Sequence, residues 1–407
     1  MKRFGPFGVL LVALLVMRLV LMAVVPVFDP SEARYATLAA NMARSGDFVV
    51  PHFTYEGEYQ SFDGKPPLVF QAGGLCCRAL GVDARRVGNR FALQFAVRVF
   101  PLLSAVLLLF IVYRAARRRR DVETAQLAVA VCATSVAFYA AAGISMTDIP
   151  LACCVAGALL LYDADSWASR FGVAALLGAG MIVKGPVALV MFGLPVLVDA
   201  ALNGRWRRIF DWRWLAVAPL ALLVAVPWFV AVEARNPGSV WYFFYHENFL
   251  RFVTHDYGDK YGAGREFFRG MSAIWAFVVT LPWALVPVWG RLKGRGTGGP
   301  WRAAARELLR SFPFVAAVTI TAFWCLTSRV LIYYLFPVIP LFAVWLAEDG
   351  DRALLRRLVR PAAVLAVVVT LGALVGGMVF SDKMLGAAAP DAHGFHNRYS
   401  YEFYHGR

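Results

Sequence analysis

Eleven apolar runs set what this chain can fold into: 4–28, 91–113, 124–147, 149–162, 171–183, 185–202, 214–232, 271–290, 311–327, 330–347 and 361–380. A helical crossing takes about 20 apolar residues, so most of these runs are long enough to span a bilayer. Runs 149–162 and 171–183 are short and come as a pair. Lipid offers the backbone no hydrogen bonds, so such a chain folds as a bundle of helices. Composition agrees: of 407 residues, 60% are hydrophobic and only 16% charged, with mean hydropathy +0.60. The expected fold class is all-α, a polytopic transmembrane bundle of about eleven spans. Run 4–28 follows Lys2 and Arg3 and ends in no small-residue cleavage site, so it reads as an uncleaved first span. Arg18 in its middle is costly in lipid and should face the protein interior, as part of an ion pair or by snorkelling.

The net charge of +15 would point to nucleic acid in a soluble chain. Here it sits in four clusters: RAARRRR at 114–120, RWRR at 205–208, the segment 291–310, and RALLRRLVR at 352–360. The positive-inside rule places all four, with the N-terminus, on the cytoplasmic side. That holds only if 28–90 is one external segment. The apolar run 66–77 is then a helix at the interface or re-entering, and the C-terminus lies outside. The six cysteines all lie in apolar runs without metal-ligand spacing, and read as small buried hydrophobes. The chain has no GxxxxGK[ST], HExxH or CxxC, and its one GxGxxG match, at 294–299, lies within the arginine-rich 291–310 segment with no strand-like run before it, so ATP-driven transport and nucleotide-sugar folds find no support.

This map collects FDPSEARY (28–35), DGKPP (63–67), TDIP (147–150) and YHENFLRF (245–252) at one membrane depth on the external face. Lys65 stands between an Asp-Gly turn and two prolines that fix φ and start the next helix. A lysine presented so at the edge of lipid suits a lipid phosphate, or equally an ordinary head group. Asp29 or Ser31 can cap a helix starting near Glu32, and Glu32 or Asp29 is a candidate general base. Asp148 opens a span, where an acid also simply complements the helix dipole. His246, Glu247 and Arg251 lie in an aromatic stretch; a histidine with an external carboxylate can bind a divalent ion, without a dedicated metal signature. His255 and Asp256 are further candidates of that kind.

The ordered set of segments, FDPSEARYATLAANMARSGDFVVPHF, DGKPPLVF, AVRVFPLLSA, TDIPL, MIVKGPVALVMFGLPVL, PWFVAVEARNPG with FYHENFLRF, and SRVLIYYLFPVIP, resembles bacterial membrane glycosyltransferases of the GT-C type. The specific likeness is to the aminoarabinose transferase and protein O-mannosyltransferase superfamily, from residue 28 to about 347. The resemblance implies inverting transfer of a sugar from a polyprenyl-phosphate donor to a lipid, glycan or protein acceptor at the periplasmic face of the bacterial inner membrane. It implies a catalytic domain over 1–380, with periplasmic loops 28–90 (carrying juxtamembrane helices) and 233–270, and a short periplasmic tail at 381–407. By the resemblance Lys65 and Arg251 hold the donor phosphate, with Arg34 and Tyr334 or Tyr333 beside it. Asp148 matches an acidic position of the family and is expected as a catalytic residue that positions the acceptor or shares the base role, and His246 matches a metal-binding position.

Two departures stand out. The family often has Asp-Glu where this chain has Ser31-Glu32, which leaves Glu32 or Asp29 as base. It often has Glu directly before the lysine, where this chain has Gly64, with Asp63 one residue back. A divalent ion (Mg, Mn or Zn) held by His246 and Asp63 therefore stays an open question, with no other cofactor expected. A flippase for lipid-linked sugars and a non-catalytic envelope assembly protein are the alternative classes.

Overall fold

A computed structural model describes residues 5–28, 31–55, 58–82, 90–253, 267–292, 301–327, 329–385 and 403. The architecture is helical, and among the described residues four helices are long and apolar enough to cross a membrane alone: Pro6–Val24, Arg90–Arg119, Arg213–Arg235 and Arg352–Gly376. The remaining apolar runs form shorter helices packed among them. The short pair of runs becomes Asp148–Tyr162 and Trp167–Lys184, which pack on each other. Asp148–Tyr162 is buried at nearly every position, so it is a core helix within the bundle and needs no lipid-facing side. The six cysteines are free, and four are fully buried.

Ion pairs show which loops share an end of the bundle. Arg119 bridges to Asp163 and to Glu348, Arg208 reaches Asp163, and Arg352 reaches Asp121. The arginine clusters at 114–120, 205–208 and 352–360 thus meet at one end. Helix Asp148–Tyr162 runs from the other end toward it. Asp148 and the segments before residue 90 lie at that opposite end.

There, helix Ser31–Ser45 packs against helix Leu68–Ala79, which starts directly after Pro66 and Pro67. The two approach closely at Gly74, where a Cβ would stand 2.8 Å from the Ala39 carbonyl oxygen. Between them the chain forms an antiparallel hairpin, β1 His52–Tyr55 and β2 Glu58–Ser61, with His52 opposite Ser61 and Tyr55 opposite Glu58. The all-α reading has no place for this hairpin. Its pairs are too short to show period-two alternation above the aromatic background. Val69, Phe70 and Cys77 are buried on one face of Leu68–Ala79 while Leu75 is 57% exposed. That amphipathic burial fits a helix lying on the bundle.

Arg18 faces the interior. It is 6% exposed, and its Nε donates to the Ala142 carbonyl. Arg98 lies in the same region and donates to the carbonyls of Met22, Val25 and Pro26, stitching the end of the first helix to helix Arg90–Arg119.

Candidate active site

Lys65 sits in the turn ahead of Leu68–Ala79. Its Nζ donates to Glu247 Oε2 at 3.2 Å and to the Gly64 carbonyl at 2.5 Å. Glu247 is 5% exposed. It belongs to Tyr242–Leu250, a nine-residue π-helical stretch. A π-helix has a wider turn than an α-helix, and such turns cluster at functional sites.

A second lysine stands beside it. Lys184 ends helix Trp167–Lys184 and donates to Asp148 Oδ1 at 2.5 Å. Its ammonium lies 4.2 Å from the Tyr334 ring centroid and 5.7 Å from that of Tyr333. Gly185 follows at φ 84°, a left-handed conformation natural to glycine. A Cβ there would collide with the Phe243 ring, so glycine is also what lets the π-helical stretch seat against this turn.

Lys65, Lys184, Glu247 and Tyr334 line one cavity of about 420 Å³, together with Arg329. Its other walls are apolar, formed chiefly by Val187, Phe244, Phe249, Phe252, Phe323 and Trp324. Three cations against Glu247, with Asp148 behind Lys184, leave the polar end net positive. A group with a phosphate at one end and hydrocarbon at the other matches both halves.

Several residues singled out in the sequence lie elsewhere. Glu32 accepts from Arg98 Nε at 2.8 Å and Nη2 at 3.0 Å, from the Ser145 amide at 3.1 Å and from the Phe28 amide at 3.4 Å. Each of its oxygens thus already accepts two hydrogen bonds. Neither Glu32 nor Arg34 lines the cavity, and the Arg34 guanidinium lies against the rings of Tyr35 and Phe62. Asp29, His255 and Asp256 lie outside the described residues, as does the side chain of Arg251. Lys184 and Arg329 are members of the site that the sequence motifs did not select, and Glu247, named there beside His246 as a carboxylate for an ion, is here the partner of Lys65. The signal for Lys184 was its KGP turn, which repeats the cation-then-proline pattern of DGKPP.

The residues expected to hold a metal do not fit one. Asp63 Oδ1 accepts from Asn236 Nδ2 and Ser239 Oγ, both at 2.9 Å, and so fixes the corner before the π-helical stretch. His246 stacks on Tyr242 at 4.7 Å. Among the described residues no group of three or more His, Cys, Asp or Glu side chains is placed to hold an ion.

The dolichyl-phosphate-mannose-protein mannosyltransferase family matches residues 90–230. The undecaprenyl phosphate-alpha-4-amino-4-deoxy-L-arabinose arabinosyl transferase of Edwardsiella ictaluri is 27% identical over 288 residues, covering 69% of this chain and 48% of that protein. The Yersinia pestis enzyme of the same name is 27% identical over 312 residues, covering 72% and 51%. This chain therefore spans about half the length of the curated relatives it matches. Among solved structures, ArnT from Cupriavidus metallidurans bound to undecaprenyl phosphate superposes with a TM-score of 0.69 at 21% identity, covering 99% of this chain and 77% of that one. The oligosaccharyltransferase of Archaeoglobus fulgidus superposes with a TM-score of 0.51 at 13% identity, covering 94% and 56%. The fold is that of these polytopic helical membrane proteins, and the resemblance carried by the ordered motifs, to GT-C glycosyltransferases of the aminoarabinose transferase and protein O-mannosyltransferase superfamily, is the one that the matched family and the relatives also carry.

Proposed function

We propose that this protein is an inverting glycosyltransferase that moves a sugar from a polyprenyl-phosphate donor, such as one built on undecaprenyl phosphate, to a lipid, glycan or protein acceptor. The observation that carries this reading is the cavity with Lys65, Lys184 and Arg329 at its polar end and an aromatic wall beyond. The names of the relatives and the undecaprenyl phosphate in the ArnT crystal structure support it. The site would face the periplasm in a bacterial inner membrane, with about eleven spans over 1–380 and the N-terminus cytoplasmic.

In this account Lys65 exchanges Glu247 for the donor phosphate. Lys184 is held in place by Asp148 and Tyr334, and Arg329 lines the same end. Arg251 remains the further phosphate contact proposed from sequence, whereas Arg34, against the rings of Tyr35 and Phe62 and outside the cavity, is given no such role. The acceptor oxygen attacks the anomeric carbon as the bond from that carbon to the phosphate oxygen breaks. The electron pair leaves on polyprenyl phosphate, where the cations stabilise the growing charge. The acceptor's proton passes to a carboxylate of the FDPSEARY stretch. The four hydrogen bonds on Glu32 suit a strut that holds this stretch to Arg98, so we place Asp29 first as the base and Glu32 second. Asp148 anchors Lys184 and so acts on the phosphate end. No step runs through a metal.

The test is turnover by purified protein in vesicles supplied with polyprenyl-phosphate-linked sugars and a lipid extract as acceptor. Release of polyprenyl phosphate that depends on acceptor supports the proposal. Movement of intact donor across the vesicle membrane would instead identify a flippase. Donor that binds and is never cleaved would identify an assembly protein.

A further inference from the structure

A larger cavity, of about 890 Å³, opens at the opposite end of the bundle, among the arginine clusters. Three helices form it: Pro6–Val24, Val122–Thr134 and Arg352–Leu385. The last contributes Arg356, Arg357 and Arg360, then Ala363 and Val364. At 1.5 Å rise per residue, Val364 lies about 12 Å deeper than Arg356. Helix Val122–Thr134 repeats the pattern, with Glu123 and Gln126 ahead of Leu127 and Ala130. The first helix adds an apolar side through Phe7, Leu10 and Ala13. The groove is thus charged at its mouth and apolar below. Val9 and Val364 on its rim are 59% and 62% exposed, so it opens sideways from the bundle, where lipid would be.

The charges do not cancel. Glu123 is the carboxylate in the groove, and Arg356 already pairs with it, with Arg352 at 3.9 Å. No ion pair to Arg357 or Arg360 occurs among the described residues. Packing beside the groove is also thin. Leu14, Tyr139, Ala363 and Ala366 form a small cluster of their own, separate from the main core, where the last long helix meets the first.

We propose that this groove seats an anionic glycerophospholipid of the surrounding bilayer, its phosphate on Arg357 and Arg360 and its acyl chains against Phe7, Leu10, Leu127 and Val364. Charge complementarity selects the anionic head group, and the apolar floor continues into the hydrocarbon as acyl chains do. The lipid fills the gap that the small cluster leaves between the first and last helices. This site is distinct from the Lys65 cavity and does not depend on its chemistry.

The experiment uses the full chain stripped of lipid in detergent and then titrated with phosphatidylglycerol or phosphatidylcholine, with bound lipid counted by native mass spectrometry and unfolding followed by heat. Phosphatidylglycerol should bind and raise the unfolding temperature, and phosphatidylcholine should do neither. An arginine near an anionic lipid contributes about fivefold in affinity, so Arg357→Gln with Arg360→Gln should weaken phosphatidylglycerol about thirtyfold. This pair leaves the Arg356–Glu123 contact intact, so the variant should fold. Arg306→Gln with Arg310→Gln, on another basic helix, should change nothing. Equal binding of the two lipids would overturn the proposal. So would an unaffected Arg357/Arg360 variant, an equal loss in the Arg306/Arg310 control, or tighter binding of undecaprenyl phosphate than of phosphatidylglycerol at this groove.

Discussion

Removing Asp148 tests how the cavity's second cation is held. Asp148 is 3% exposed and Lys184 8%, and they meet at 2.5 Å. Breaking a buried ion pair by deleting one partner leaves the other charge buried without compensation, at about 3–5 kcal/mol. The Tyr334 ring at 4.2 Å offsets some of this, since a cation–π contact contributes about 0.5–2 kcal/mol. Asp148→Ala should therefore destabilise the protein by roughly 1–4.5 kcal/mol in unfolding measured in detergent or nanodiscs. Removing both charges should cost far less, because a buried pair replaced by apolar groups is often neutral. Asp148→Ala with Lys184→Met should thus recover most of the stability. It should not recover donor turnover, because one of the cavity's cations is gone. Two results would refute the reasoning: an Asp148→Ala variant as stable as wild type, or a double variant no more stable than the single one.

Glu32→Gln should lower stability, because one of its two oxygens becomes a donor facing Arg98 or a backbone amide. Asp29→Asn should leave unfolding unchanged and abolish most transfer; the opposite pattern would make Glu32 the base. Gly74→Val should destabilise by about 1–3 kcal/mol, because its Cβ would stand 2.8 Å from the Ala39 carbonyl oxygen. A melting curve matching wild type would show that the two helices do not rely on this close approach. Turnover should survive EDTA, since Asp63 is committed to Asn236 and Ser239. Complete loss restored by one divalent ion would show that a metal site assembles with substrate.

Much of the bundle was legible because its signals are one-dimensional. Apolar runs gave the helices, and three of the four arginine clusters sorted to one side by charge alone, 114–120, 205–208 and 352–360, meet through Asp163, Asp121 and Glu348. Lys65 and Asp148 stood out for a similar reason, as charges at the edges of apolar sequence. Their partners did not. Glu247 lies in YFFYHENFL, a run so rich in aromatics that apolar periodicity does not single out which of His246, Glu247 and Asn248 turns inward. Lys184 reads as an ordinary cation at a helix C-terminus until Asp148 and Tyr334 are seen around it. Glu32 was legible as an external-face carboxylate and candidate base. Its commitment to Arg98, 66 residues away, is a tertiary fact that no local pattern carries.

The central claim is that Lys65 binds the donor phosphate, and the most direct measurement is the affinity of purified protein for undecaprenyl phosphate in wild type and Lys65→Ala. A charge-assisted contact of this kind contributes about 1.5–3 kcal/mol, or roughly tenfold to more than a hundredfold in affinity. The account predicts a loss in that range, with Lys65→Arg recovering only part of it because a planar guanidinium does not replace a compact ammonium. The variant should stay inserted with lowered stability, since Glu247 is 5% exposed and loses this partner, so affinity is measured on the folded protein. An Lys65→Ala protein that binds undecaprenyl phosphate as tightly as wild type would contradict the account and leave Lys65 as a partner of Glu247 alone.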